Sequence, residues 1–196
     1  AMKKRFVLPL FILVVLLTVG FSGCSIQEMA VSMVADALTS GASDSFSSDE
    51  DPELVGDALP FALKLYEILL EKQPDHQGLH LSAGSGFVMY TNAYIHTPAT
   101  MLPAEKWEKQ EEMLARAQRM YLRGRDLVMD GLELRYPGFL DSMDDQESFR
   151  AGLEKMTEED VPSLYWAGAG WMGAFAANSF DYEVSMGIPL AGALMQ

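Results

Sequence analysis

Only a few groups of residues in this chain could form a catalytic or ligand-binding site. Gly168, Gly170 and Gly173 match the G-x-G-x-x-G fingerprint of dinucleotide-binding loops. Such a loop holds a pyrophosphate only where a strand ends and a helix begins. Here the three glycines fall inside a long uncharged stretch that is typical of the middle of a helix. We therefore expect no nucleotide at this position.

Two histidines offer a second candidate. His76 and His80 are four residues apart, a spacing that lets two imidazoles share a metal ion on one helix face, and Asp75 is adjacent. The sequence supplies no convincing third ligand, so a solvated helix start is the favoured interpretation. A group of carboxylates lacks the glycine and the spacing of a calcium loop and indicates a solvated acidic turn: Asp141, Asp144, Asp145 and Glu147. We expect no metal, no cofactor and no catalysis, because no nucleophile–base pair accompanies these groups.

The remaining candidates are residues that could contact a partner or a ligand. Three arginines share one helical face and could meet an acidic partner, although pairing with the chain's own carboxylates is the alternative: Arg116, Arg119 and Arg123. The aromatic candidates are Tyr90, Tyr94, Trp166 and Trp171. Aromatic and arginine side chains are the usual anchors of protein interfaces.

Composition limits the kind of protein that these residues can serve. The 196 residues are 49% hydrophobic, enough for one domain-sized core, and the formal net charge is −14. Such an acidic chain is a poor candidate for binding nucleic acid or anionic lipid. The one cysteine excludes an internal disulfide framework.

That cysteine has a different predicted role. A basic start at Lys3–Arg5 is followed by an apolar run, and small residues then lead to Cys24. This order predicts a bacterial lipoprotein signal peptide over 1–23, with a lipid attached to Cys24. The alternative is an uncleaved N-terminal anchor helix with an incidental cysteine. Ser25 resembles the sorting context for the outer membrane.

Two uncharged stretches, Leu79–Ile95 and Leu164–Phe180, contain several of these candidate residues. Each contains a box of small residues followed by an aromatic residue, Ala83–Phe87 and Ala167–Trp171. Their length and lack of charge predict helices buried on most sides. An amphipathic helix over about Pro103–Tyr136 lies between them in sequence and can cover both.

Further elements complete an all-α prediction. A short docking helix is expected in Ile26–Leu38, a Ser-rich tether in Thr39–Glu50, and a helix that starts at Asp51 and ends near Gln73. In the long helix, large and small residues alternate along a seam, as close helix packing requires: Trp107, Leu114, Ala117, Tyr121, Gly124, Val128 and Gly131. The apolar end at Ile188–Gln196 lacks the polar cap of a helical-repeat protein, so we expect that the natural protein continues.

These features together carry a family resemblance. The run Asp51–Val55, the run Asp57–Lys64, the first box, the end of the long helix at Glu133–Pro137 and the start of the second box resemble the T components of tripartite ATP-independent periplasmic (TRAP) transporters. The resemblance implies stacked tetratricopeptide-like helix hairpins, an α-solenoid. It divides the chain into a signal peptide (1–23), an anchor with tether (24–50) and an incomplete helical-repeat domain (51–196).

The resemblance also implies a function. The chain is expected to be a non-enzymatic periplasmic lipoprotein that assists a TRAP solute uptake system by binding its solute-binding subunit. The alternative is a generic helical-repeat lipoprotein that scaffolds an envelope complex. The sequence leaves the transported solute and any homo-oligomer open.

Overall fold

The computed structural model describes residues 29–40, 46 and 48–196, and every regular element within them is helical. The α-helices are α1 (29–39), α2 (Pro52–Lys72), α3 (Gln77–Thr91), α4 (Thr97–Thr100), α5 (Trp107–Arg135), α6 (Gln146–Leu153), α7 (Val161–Ala177), α8 (Tyr182–Met186) and α9 (Ile188–Leu194). The all-α class is thereby confirmed, whereas the solenoid stays a prediction. The predicted signal peptide and Cys24 lie outside the described residues.

Helix α2 begins where the sequence places it. The Asp51 carboxylate accepts hydrogen bonds from the backbone N–H groups of Glu53 and Leu54, both at 3.1 Å, and Pro52 occupies the first turn. Its buried face packs against α3, to which it is joined by a short turn. None of the described helices is both long enough and apolar enough to cross a bilayer.

Helix α3 does not stop at the end of the first uncharged stretch. Two prolines, Pro98 and Pro103, predict a loop over Thr97–Pro103. Instead, the π-helix Asn92–His96 follows α3 directly and leads into α4, so Thr97–Thr100 is helical. The N–H of Thr97 bonds to the carbonyl of Asn92, which widens the turn just before Pro98. A widened turn is one way for a helix to accommodate a local interruption such as a proline.

Helices α3 and α5 approach each other closely at Gly84 and Gly124. A Cβ atom on Gly84 would lie 2.6 Å from the carbonyl oxygen of Gly124, and one on Gly124 would lie 2.7 Å from that of Gly84. Both distances are shorter than a Cβ atom tolerates, so the two backbones touch only because neither residue has a side chain. The small residues of the first box therefore allow close helix packing.

Helix α7 packs against a neighbouring face of α5 by the same means, and it also contacts α3. A Cβ atom on Gly170 would lie 3.1 Å from the carbonyl oxygen of Tyr121, and one on Gly173 would meet the ring of Tyr121. The buried carboxylate of Asp160, just before α7, accepts a hydrogen bond from the Tyr136 hydroxyl at 2.6 Å and pairs with Arg135 at 3.0 Å. Helix α5 is thus the shared packing partner of α3 and α7.

The predicted seam of α5 holds along most of the helix but is wrong at its start. Ala117, Tyr121, Gly124 and Val128 are buried, whereas Trp107 is exposed. Because α3 and α5 run antiparallel from the glycine contact, the position opposite Trp107 falls at the turn after α4, and the described helices leave the Trp107 side chain uncovered.

The glycine contact makes a stability prediction. Gly124→Ala should lower the free energy of unfolding by about 1–3 kcal/mol, because the new methyl group would overlap the α3 backbone and force the helices apart. Gly192→Ala is the matched control, since a Cβ there meets nothing within 4 Å. It should be neutral or stabilising by up to about 1 kcal/mol. Denaturant melts that show equal effects would contradict the assigned contact.

Candidate interaction surface

An open groove lies between α3 and α7, with α5 as its floor, and has a volume of about 680 Å³. Its lining residues are Val88, Met89, Asn92, Ala93, His96, Tyr121, Tyr165, Trp166, Ala169, Met172, Gly173 and Ala176. No Asp, Glu, Lys or Arg occurs among these lining residues. The groove is therefore an apolar and aromatic surface in a strongly acidic chain.

The groove exists because α7 uses its two sides differently. The side that holds Ala167, Gly170 and Ala174 is buried, and the small side chains allow α5 to come close. The other side carries Tyr165, which is 51% exposed, and the half-buried Trp166. Their rings meet edge to face, with centroids 5.0 Å apart. Partly exposed, mutually braced aromatic side chains have the properties of interface anchors.

Two polar groups occur together at the floor of the groove. The Tyr121 hydroxyl lies 3.1 Å from Nδ1 of His96, and the two rings meet edge to face. Burial lowers the pKa of His96, and burial raises the pKa of Tyr121. Both shifts favour the neutral forms near pH 7. The hydroxyl can then donate to an unprotonated Nδ1, and the floor carries no charge.

The three arginines predicted as contacts differ in their surroundings. Arg123 forms an ion pair with Glu67 of α2, and its guanidinium lies 4.8 Å from the centroid of the Phe87 ring. It therefore bridges α2, α3 and α5. Arg116 and Arg119 are exposed on the preceding turns of α5.

The four aromatic residues predicted as contacts also differ in their surroundings. Tyr90 and Tyr94 stack with centroids 5.5 Å apart, and the Tyr94 hydroxyl donates to the carbonyl of Pro52 at 2.7 Å, which ties α3 to the start of α2. Trp171 is only 4% exposed and lies in the core, with the Arg125 guanidinium over its ring. Of the four, Trp166 is the one that lines the groove.

Several groove residues were not identified from the sequence. Tyr165 adjoins Trp166 at the start of the second box, so its aromatic character was a usable local signal. His96 and Tyr121 are 25 residues apart in the chain and meet only through the packing of α5 against the π-helix. No local pattern indicates that pair.

The G-x-G-x-x-G glycines lie within α7, as expected, and all three serve packing. Gly170 and Gly173 face α5, and a Cβ on Gly168 would lie 3.1 Å from the Met195 side chain. A pyrophosphate has no free helix start here, because the residues of this motif are in the interior of the helix.

The two histidines have separate structural partners. His76 caps α3 by accepting the N–H of Leu79 and lies 3.2 Å from an Asp36 carboxylate oxygen. The ring nitrogens of His80 lie within hydrogen-bonding distance of the carbonyls of Pro74 and Leu127. In the described part of the chain, no group of three potential ligands is arranged to hold a metal.

The acidic turn before α6 also has a structural role. Asp145 accepts hydrogen bonds from the N–H and the hydroxyl of Ser148, at 2.8 and 2.7 Å, and so caps α6. The bond from the Ser148 hydroxyl and then the bond from its N–H lower the pKa of Asp145. Capping accounts for a carboxylate at this position without a bound cation.

The His96–Tyr121 contact predicts a pH dependence. Because the pKa of His96 is lowered in the folded protein, the unfolded chain takes up a proton first, near pH 6.5. Stability should therefore be full above that pH and should decrease as the pH falls through it. His96→Gln, which cannot titrate, should show a smaller loss of unfolding free energy between about pH 7.5 and about pH 5.5. Parallel pH profiles of the two proteins would contradict this assignment.

Comparison with known proteins gives two findings. The family described as TRAP transporter T-component matches residues 48–196. An uncharacterized protein of Treponema pallidum (strain Nichols) is 36% identical over 170 residues, which cover 79% of this chain and 53% of that protein. The chain thus spans about half the length of this relative.

Proposed function

We propose, from the premise that this chain belongs to the TRAP transporter T-component family, that it binds the solute-binding subunit of its transporter and catalyses no reaction. The family is a transporter accessory component rather than an enzyme family. The chain spans about half the length of its Treponema pallidum relative, so its partner is a proposal.

The observation that carries the proposal is the uncharged groove between α3 and α7. Its size and its exposed aromatic wall suit a segment of another protein, because a few desolvated aromatic anchors usually dominate an interface. The neutral His96–Tyr121 floor can be buried without the cost of desolvating a charge. The net charge of −14 would speed the approach of a partner with a basic patch, and added salt would slow it.

The proposal includes the location of the protein. A lipid on Cys24 would hold the chain at the periplasmic face of a membrane, and the residue after Cys24 favours the outer one. The helical domain would then meet a soluble partner in the periplasm. The generic scaffold is the competing function, and the two differ in whether the solute-binding subunit binds directly.

Binding of that subunit tests the groove. Tyr165→Ala should weaken the complex about 30-fold, which corresponds to about 2 kcal/mol, because it removes an exposed anchor. Tyr182→Ala is the matched control, since Tyr182 is 75% exposed on α8 and does not line the groove. Calorimetry with the purified solute-binding subunit at low and high salt is the measurement.

Two outcomes of this titration would count against the proposal. If folded wild-type protein forms no complex at tens of micromolar, about the weakest affinity of interest, the generic scaffold becomes the better account. If Tyr165→Ala and Tyr182→Ala bind equally well, the partner uses a surface other than the groove.

Lipidation is tested separately. Labelled palmitate should enter the wild-type protein in cells but not Cys24→Ser, because the thiol is the site of lipid attachment. Immunoprecipitation followed by detection of the label is the measurement. Equal labelling of the two proteins would exclude Cys24 as the anchor.

A further inference from the structure

We infer that the outward face of α1 lies on the surface of the bilayer to which Cys24 is anchored, so that the lipid and the helix together fix the orientation of the domain. The inference rests on the lipid attachment proposed above. It goes beyond that attachment because a lipid alone leaves a protein free to tilt and rotate on its tether.

Helix α1 is part of the folded domain. Ala35 is fully buried in a cluster that includes Tyr66 and Leu69 of α2 and Leu79 of α3. At its end, the Tyr66 hydroxyl donates to the carbonyl of Leu38 at 3.4 Å. The Asp36 carboxylate lies 3.2 Å from Nε2 of His76 in the turn between α2 and α3. Movement of α1 therefore moves the whole domain.

The outward face of α1 is apolar without a partner among the described residues. Met29 is 60% exposed, Met33 65% and Val34 49%, and the small residues Ala30 and Ala37 lie between them. The described part of α1 contains no Lys or Arg, and its one carboxylate is the residue held by His76. Such a face favours an apolar environment and does not require anionic lipid.

The short stretch of chain between Cys24 and α1 keeps this face close to the bilayer. Met29 is five residues after Cys24. Even a fully extended chain spans at most about 3.6 Å per residue, so the start of α1 lies within about 18 Å of the anchored cysteine. That distance is shorter than the thickness of a small domain, and it keeps the helix next to the headgroup region.

The Ser-rich stretch predicted as a tether cannot lift the domain away. It follows α1 and connects two points on the same domain. At one end Asp36 of α1 contacts His76, and at the other the Pro52 carbonyl accepts a hydrogen bond from Tyr94. Whatever its conformation, this stretch is not the connection between the domain and the membrane.

The orientation that results has a consequence for partner binding. The turn between α2 and α3 lies next to α1, because His76 contacts Asp36. Along the helix axis at 1.5 Å per residue, Val88 and His96 of the groove lie about 18 and about 30 Å from His76. None of the residues that line the groove belongs to α1, so the membrane-facing helix leaves the groove open to a soluble protein.

Environment-sensitive labels on the full lipidated chain test the inference. Met33→Cys and Met101→Cys each carry one fluorophore on vesicles of phosphatidylcholine that contain a lipid with a quencher near the headgroup. Met101 is 78% exposed in the turn after α4 and is the matched control. The label at position 33 should be quenched several-fold more and shifted to shorter wavelength. Equal quenching of both labels would overturn the inference.

A second readout needs no substitution. Met33 and Met101 are similarly exposed in the protein itself, so peroxide should oxidise them at similar rates if both are in water. On the vesicles, Met33 should be oxidised several-fold more slowly, as mass spectrometry would show. Protection of Met33 that grows with protein density on the vesicle at constant lipid would indicate a contact between copies and would also overturn the inference.

Failure of the underlying proposals would look different. A protein without a lipid would not float with the vesicles, and its Cys24 thiol would accept the fluorophore. A chain that does not bind the solute-binding subunit would still show the quenching at position 33, because that measurement contains no partner.

Discussion

The structure depends on one contact between backbones. Gly84 and Gly124 allow α3 and α5 to touch without intervening side chains, and each glycine lies against the carbonyl oxygen of the other. This contact sets the antiparallel register of the two helices. The register in turn brings His96 to Tyr121 and Phe87 to Arg123, so the groove floor and the link to α2 both follow from it.

The second box also uses glycine to bring a helix close to α5, but here the packing leaves a groove. Gly170 brings α7 against α5, but α7 meets α3 only along one edge, and its outer side stays open. The two buried helices therefore enclose a groove instead of closing on each other. When a partner binds, this exposed apolar wall is removed from water, and that removal favours the complex. The placement of α1 near the start of α3 keeps the proposed membrane-facing helix apart from this groove.

Much of the helical organisation could be predicted because its signals are local. The cap at Asp51, the two uncharged helices and the small residues that pack them are legible in the sequence. Helix α2 shows where such reasoning fails: Leu54, Phe61 and Ile68 form a regular apolar series yet are exposed, whereas Leu59 and Leu63 are buried. A helix that is apolar on two faces does not indicate which face meets the core. Pro98 similarly predicted a loop where the structure has a helix. The π-turn that precedes Pro98 and lets the helix continue depends on packing rather than on a local signal.

The groove itself was beyond sequence reasoning, since its residues come from α3, the π-helix, α5 and α7, and Trp166 was the one lining residue predicted as a contact. We propose that the solute-binding subunit occupies this groove. A photo-reactive amino acid at position 165, introduced in cells that express the whole transporter, is the sharpest test of that proposal. A covalent adduct with the solute-binding subunit is expected from position 165 and none from position 182. Adducts from position 182 alone, or equal adducts from both, would contradict it.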